Sequence, residues 1–181
     1  AKIEQGMCCG CRISLSTAEL QRVRMGKIVE AAVAIVSFIW ISFNKGRLKV
    51  INKVIIHTDG ASRGNPGQAA IGVTIKDEKG NLLKSVSRAI GVTTNNQAEY
   101  TAIIVALEQA GKLGAKQVEL NSDSELVVFQ LTGRYRVKKD TLKPLFQQVK
   151  ELCACFESFK VKHIPREQNS EADALANKAY R

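Results

Sequence analysis

From Lys53 onward the chain alternates short β-branched runs with helical stretches cut by Gly, Pro and Asn, and the order of these pieces limits the fold more than any other feature. Residues 54–58 read as a strand ending at Asp59-Gly60, and Arg63-Gly-Asn-Pro-Gly67 reads as a loop. Residues 69–76 and 82–90 are two more strands, joined by the turn sequence Asp77-Glu-Lys-Gly-Asn81. Three strands thus form an antiparallel meander. Thr94-Asn95-Asn96 then supplies helix-capping side chains, and Ala98, Ala102, Val105, Ala106 and Gln109 recur at helical spacing until Gly111 and Gly114. Residues 118–122 make a fourth strand ending at Asp123, residues 125–131 a short helix, and residues 142–156 an amphipathic helix. A fifth strand at 159–164 and a last helix at 170–180 complete the chain. The order βββαβαβα predicts an α/β domain with a five-stranded mixed sheet, three antiparallel strands followed by parallel ones, and helices on both faces.

The 181 residues carry 27 Lys plus Arg against 17 Asp plus Glu, and a net charge of +10 favours an anionic partner such as nucleic acid. Residues 1–50 hold 8 basic and 3 acidic side chains and residues 51–181 hold 19 and 14, so the shorter part is the more densely basic. That division predicts a basic appendage at 1–50 and one domain at 51–181. The longest uncharged apolar run, residues 31–43, is 13 residues long. A membrane span needs ~18–20, so no membrane is expected, and no secretory signal is evident. Five cysteines in two tight clusters, Cys8, Cys9 and Cys11 with Cys153 and Cys155, do not resemble a secreted disulfide framework. A reducing, cytoplasmic compartment is the expectation.

The acids at element ends are the informative pattern. Asp59 ends the first strand, Glu99 is placed in the first turn of the first helix, Asp123 ends the fourth strand and Asp173 is in the first turn of the last helix. In an α/β sheet the carboxyl ends of parallel strands share an edge with the helix starts that follow them, so all four can converge. Like charges that close repel unless a cation neutralises them, and oxygen-only ligands suit a hard ion, Mg²⁺ or Mn²⁺. Such clusters serve phosphoryl transfer. Each acid alone has a plainer reading: Glu99 and Asp173 favoured by the helix dipole, Asp59 as a turn former, Asp123 as an N-cap.

The runs Thr58-Asp-Gly-Ala-Ser-Arg-Gly-Asn-Pro-Gly67, Thr93-Thr-Asn-Asn-Gln-Ala-Glu-Tyr100, Asn121-Ser-Asp-Ser-Glu-Leu126 and His163-Ile-Pro-Arg-Glu-Gln-Asn-Ser-Glu-Ala-Asp-Ala-Leu-Ala176 together resemble type 1 ribonuclease H, in the family's order. The resemblance implies the ribonuclease H-like fold and endonucleolytic hydrolysis of the RNA strand of an RNA/DNA hybrid, giving 5′-phosphate and 3′-hydroxyl ends. It also implies that Asp59, Glu99, Asp123 and Asp173 hold two Mg²⁺ ions, with Mn²⁺ able to substitute and Asp59 bridging. His163 stands ten residues before Asp173, where many members keep a mobile histidine; a histidine simply held at a strand terminus is an equal reading. Gly60, Ser62, Asn65, Asn95, Asn96 and Gln97 match substrate-binding positions, and Thr94 matches a residue that helps hold a DNA phosphate. Val92 replaces a frequent family arginine. After Asp123 only the basic run Gly133-Arg-Tyr-Arg-Val-Lys-Lys139 stands where many bacterial relatives insert a basic handle. This compact form leaves double-stranded RNA open as a second substrate. A monomer is expected.

Residues 1–50 resemble a degenerate zinc ribbon. Cys8-Cys-Gly-Cys11 supplies one pair of thiolates, but Ala31 and Ala34 stand where the second pair belongs. Two thiolates do not complete a structural zinc site, so zinc at Cys8 and Cys11 is not expected, and a degenerate ribbon or a poorly ordered segment is the reading.

Overall fold

The computed structural model describes residues 51–180 and, in the first fifty, two two-residue strands, Ile3–Glu4 and Met7–Cys8. The chain divides into two compact units, 1–50 and 51–181. In the first, the two short strands pair antiparallel, Ile3 with Cys8 and Glu4 with Met7. The ribbon expectation, including zinc at Cys8 and Cys11, otherwise lies outside the described residues.

The second unit holds five strands: β1 (Lys53–Gly64), β2 (Gly67–Asp77), β3 (Leu82–Thr93), β4 (Gln117–Ser122) and β5 (Ser158–His163). Helix α1 (Asn95–Lys112) follows β3, α2 (Glu125–Leu131) and α3 (Lys143–Ala154) both lie between β4 and β5, and α4 (Ser170–Lys178) closes the domain after a 3-10 turn at Arg166–Asn169. The sheet order is β3-β2-β1-β4-β5. Strands β1, β2 and β3 pair antiparallel, while β4 and β5 join parallel to β1. The mixed sheet is the one expected from the element order.

Several boundaries differ from expectation. Strand β1 does not end at Asp59. It runs to Gly64 because its second half pairs with β2 from Gly60↔Ile71 to Gly64↔Gly67, which leaves only Asn65 and Pro66 for the turn. Strand β3 likewise extends to Thr93. Neither Asn95 nor Asn96 caps α1. Thr94 does, in a capping box whose other half is Gln97, so the two asparagines are the first helical residues. Glu99 is therefore the fifth residue of α1, just past the first turn to which a dipole argument applies.

The core lies between one sheet face and α1 and α3. Val54 and Ile56 of β1, Ile71, Val73 and Ile75 of β2, and Leu120 of β4 meet Tyr100, Ile103 and Leu107 of α1 and Val149 of α3. Burying side chains of this size contributes ~1.5–3 kcal/mol each. One buried polar pair joins this core, the Tyr100 hydroxyl donating to Gln130 Oε1 at 2.7 Å, which fixes α2 against α1.

Two glycines set how closely helices approach the sheet. A Cβ on Gly60 would lie 2.2 Å from the backbone nitrogen of Glu99 in α1, and one on Gly72 would lie 1.9 Å from the carbonyl oxygen of Ala172 in α4. Asp59 pairs with Gly72 and Gly60 with Ile71. Because successive strand residues point to opposite faces, α1 and α4 sit on opposite sides of the sheet. Among the described residues no helix is long and apolar enough to cross a membrane.

Candidate active site

Strand register brings the acids together. The parallel pairing of β1 with β4 ends at Thr58↔Ser122, so Asp59 and Asp123 are the next residues on adjacent strands. Asp59 stays in the ladder with β2, whereas the chain leaves β4 at Asp123 for α2. Glu99 comes from α1, whose backbone touches β1 at Gly60, the residue after Asp59. One carboxylate oxygen from each of Asp59, Glu99 and Asp123 lies within 4.8 Å of the others.

The surroundings oppose this much negative charge. Asp59 is 7% exposed and Glu99 5%, while Asp123 is half-buried. Burial, with Asp123 and Asp173 nearby, pushes the Asp59 carboxyl up to about 6. Burial first, and then Asp59 and Asp123, hold Glu99 well above the usual carboxylate range. Asp59 Oδ2 and Glu99 Oε2 are buried and have no hydrogen-bond partner among the described residues. Buried oxygens are ordinarily paired. Orphaned carboxylate oxygens, in a donor set of oxygen alone, fit a hard divalent cation.

Asp173 opens on the same cleft, of about 290 Å³, but the structure does not gather it into the three-acid cluster. Its Oδ1 accepts from Arg166 at 2.9 Å and its Oδ2 from Asn177 Nδ2 at 2.9 Å. Among the described residues lining the cleft, Arg166 is the one cationic side chain, and it is exposed.

His163 is the last residue of β5 and stands opposite Ser122. Its ring is exposed, with Nε2 3.2 Å from the backbone oxygen of Asp123 and the Phe129 ring 6.5 Å away. It flanks Asp123 from behind and does not line the cleft.

The residues matched to substrate binding rim the cleft or support its rim. Gly60 and Asn95 line it. The Ser62 hydroxyl donates to the Thr93 carbonyl at 2.8 Å, tying β1 to β3. Asn65 Oδ1 accepts the Asn95 backbone N–H at 3.2 Å, joining the β1–β2 turn to the start of α1. Gln97 Oε1 accepts from both Thr93 and Thr94 hydroxyls, at 2.9 and 2.8 Å. Asn96 is the half-buried second residue of α1.

Sequence reasoning missed Arg166, Asn169 and Asn177. Asn169 is 1% exposed, and its Nδ2 donates to Asp123 Oδ1 at 2.7 Å and to the Thr58 carbonyl at 2.9 Å. The available signal for Asn177 was its place four residues after Asp173, one helical turn on.

A family model described as reverse transcriptase-like matches residues 57–179. Ribonuclease HI of Halobacterium salinarum is 43% identical over 127 residues, covering 70% of this chain and 64% of its own length. A bifunctional protein of Mycobacterium tuberculosis is 42% identical over 128 residues, of which the match covers 70% of this chain and 35% of that one. The chain thus spans under two thirds of these relatives. The crystal structure of RNase H1 from Halobacterium salinarum superposes with a TM-score of 0.70, covering 71% of this chain and 98% of that one at 43% identity. LC11-RNase H1 in complex with RNA/DNA hybrid gives a TM-score of 0.67 at 49% identity, covering 70% of this chain and 95% of that one. With a matching sheet, a matching family model and these identities, the chain belongs to the type 1 ribonuclease H family.

Proposed function

We propose that this protein is an endonuclease that hydrolyses the RNA strand of RNA/DNA hybrids and leaves 5′-phosphate and 3′-hydroxyl ends. The observation that carries this reading is the meeting of Asp59, Glu99 and Asp123 within 4.8 Å, two of them buried with an orphaned oxygen each. The relative solved on a hybrid supports the choice of substrate. Asp59, Glu99, Asp123 and Asp173 would hold two Mg²⁺ ions in this proposal, with Mn²⁺ as a substitute. Bound there, such ions supply an acidified attacking water and neutralise charge on the departing 3′ oxygen.

The chain's own groups do the rest. Asp59 and Glu99 place their carboxyl groups at the buried side of the cleft. Arg166, exposed beside Asp173, offers a planar guanidinium suited to phosphate oxygens. Gly60 presents its backbone to the cleft, while Asn65, Asn95, Asn96 and Gln97 offer side-chain amides to the 2′-hydroxyls and base edges of a minor groove, a mode that needs no sequence. Ser62 braces that rim through Thr93. Thr94, at the start of α1, holds a DNA phosphate. His163, flanking Asp123, assists departure of product or proton. The basic run 133–139, in which Arg134 stacks 5.0 Å over Phe129, follows the phosphate backbone. Residues 1–50 act as a basic appendage, and the protein works as a cytoplasmic monomer.

The deciding experiment offers purified protein matched RNA/DNA, RNA/RNA and DNA/DNA duplexes with and without Mg²⁺. Cleavage of the hybrid's RNA strand only with metal supports the reading. Cutting of RNA/RNA at a comparable rate widens it to double-stranded RNA. Binding of the hybrid without cleavage at any metal concentration would leave a binding module and overturn it.

A further inference from the structure

Asn169 ends the 3-10 turn Arg166–Asn169 and occupies the N-cap of α4. An asparagine there ordinarily turns its side-chain oxygen onto the first free N–H groups of the helix. Asn169 makes no such bond, and its Oδ1 is buried without a partner among the described residues. The residue forgoes that local use of its oxygen. Its Nδ2 is spent on two acceptors, the Thr58 carbonyl at 2.9 Å and Asp123 Oδ1 at 2.7 Å. Both neighbours can only accept, so the amide orientation is settled by chemistry: only the NH₂ fits between them.

Those two contacts join the elements that carry the acids. Thr58 immediately precedes Asp59 on β1, Asp123 leaves β4, and Asp173 comes four residues after Asn169 on α4. We propose that Asn169 is a positioning residue, whose buried amide fixes the rotamer of Asp123 against β1 so that its second oxygen faces Asp59 and Glu99. This inference rests on the cation-binding reading of the cluster.

The choice of amide follows from charge. A lysine or arginine at this place would hold Asp123 just as firmly but would cancel the charge that a divalent cation needs. An amide orients the carboxylate and leaves it fully negative. Asp173 has the opposite arrangement, with a guanidinium on one oxygen. Outer partners of metal-ligating carboxylates are worth ~10–100-fold in metal affinity.

The test is calorimetric titration of Mn²⁺ into the metal-free protein, at a temperature well below melting, for the parent, Asn169→Ala, Asn169→Asp and the control Gln168→Ala, an exposed neighbour in the same turn. We expect Asn169→Ala to weaken Mn²⁺ binding by ~10-fold or more. Its kcat should fall while KM for a hybrid stays within twofold, and excess Mn²⁺ should recover part of kcat. Asn169→Asp, which keeps the shape but faces two acceptors with a third, should lose at least as much. Gln168→Ala should match the parent. If both Asn169 variants bind Mn²⁺ as the parent does, and only their melting temperatures fall, Asn169 is structural and the inference fails. If the parent binds no Mn²⁺ at all, the cluster reading fails and takes this one with it.

Discussion

Two acids, Glu119 inside β4 and Asp123 just past its last residue, are treated differently. Glu119 lies between two lysines, with Lys162 at 2.6 Å and Lys53 at 3.2 Å, and its carboxyl is held below the usual range, chiefly by the hydrogen bond from Lys162. Four residues on, Asp123 receives a neutral amide, and its acidic neighbours Asp59 and Glu99 are pushed upward by burial. The same sheet thus neutralises a carboxylate where charge is only to be tolerated and withholds neutralisation where charge is to be used. A protein that could pair Glu119 twice did not lack the means to pair Asp123.

The largest test of that contrast is Asp123→Asn. Removing the charge of the unneutralised acid should lower hybrid cleavage by more than the ~100-fold that bounds an outer-shell change, with binding of the hybrid in Ca²⁺ retained. Cleavage at the parent's rate would remove Asp123 from the chemistry.

Next comes the acid-side behaviour of the metal-free protein. Asp59 titrates near about 6 when folded, against 3.8 for the ordinary carboxyl. Between those values the folded state binds more protons than the unfolded chain, so its contribution is fully present below pH ~4 and is lost as pH rises through ~6. The cost at neutral pH is on the order of 3 kcal/mol, and Glu99 acts in the same direction. Thermal melts in EDTA should therefore weaken from pH 4 to 7. Millimolar Mg²⁺ should flatten or reverse that slope, because a cation binding only the folded state stabilises it. A pH-independent melt in EDTA would mean the cluster is not under charge strain.

A smaller effect follows for Asp59→Asn, which abolishes that strain. Its melting temperature in EDTA at pH 8 should exceed the parent's by several degrees, roughly 2–4 °C per kcal/mol for a domain of this size, while activity is lost. Stability gained with activity lost is the pattern that separates a functional acid from a structural one.

The smallest effect belongs to Glu119→Gln. Exposed ion pairs contribute ~0–1 kcal/mol, so chemical denaturation should shift by no more than that and cleavage should be unchanged. A large loss of activity would show that Glu119 and Asp123 are coupled.

How much of this was legible in the sequence depends on the range of the interactions involved. Periodicity and turn residues are local, and they placed α2 at residues 125–131 and gave the mixed sheet correctly. Gly60 misled, because a glycine after Asp59 looks like a turn former when its use is close contact with α1, a feature only the folded chain contains. Of the three clustered acids, Asp123 alone sits at a strand end as the shared-edge argument supposes, while Asp59 lies within β1 and Glu99 past the first turn of α1. Of the partners of Asp173, Asn177 was within reach of a spacing argument, but the reach of Arg166 back along the turn was not. Asn169 was hidden for a related reason: its position at a helix start predicts a cap, and the structure turns the side chain inward.

Gly72 carries no side chain and meets the acids only as the ladder partner of Asp59, yet the carbonyl of Ala172 occupies the space its side chain would fill. Even a methyl group there would prise the last helix from the sheet and carry Asp173 away from its neighbours. A mutational survey scored by turnover should therefore flag a mid-strand position with no chemistry of its own. Exchanges at this hidden hinge-pin should read as lost catalysis in a chain that still melts cooperatively.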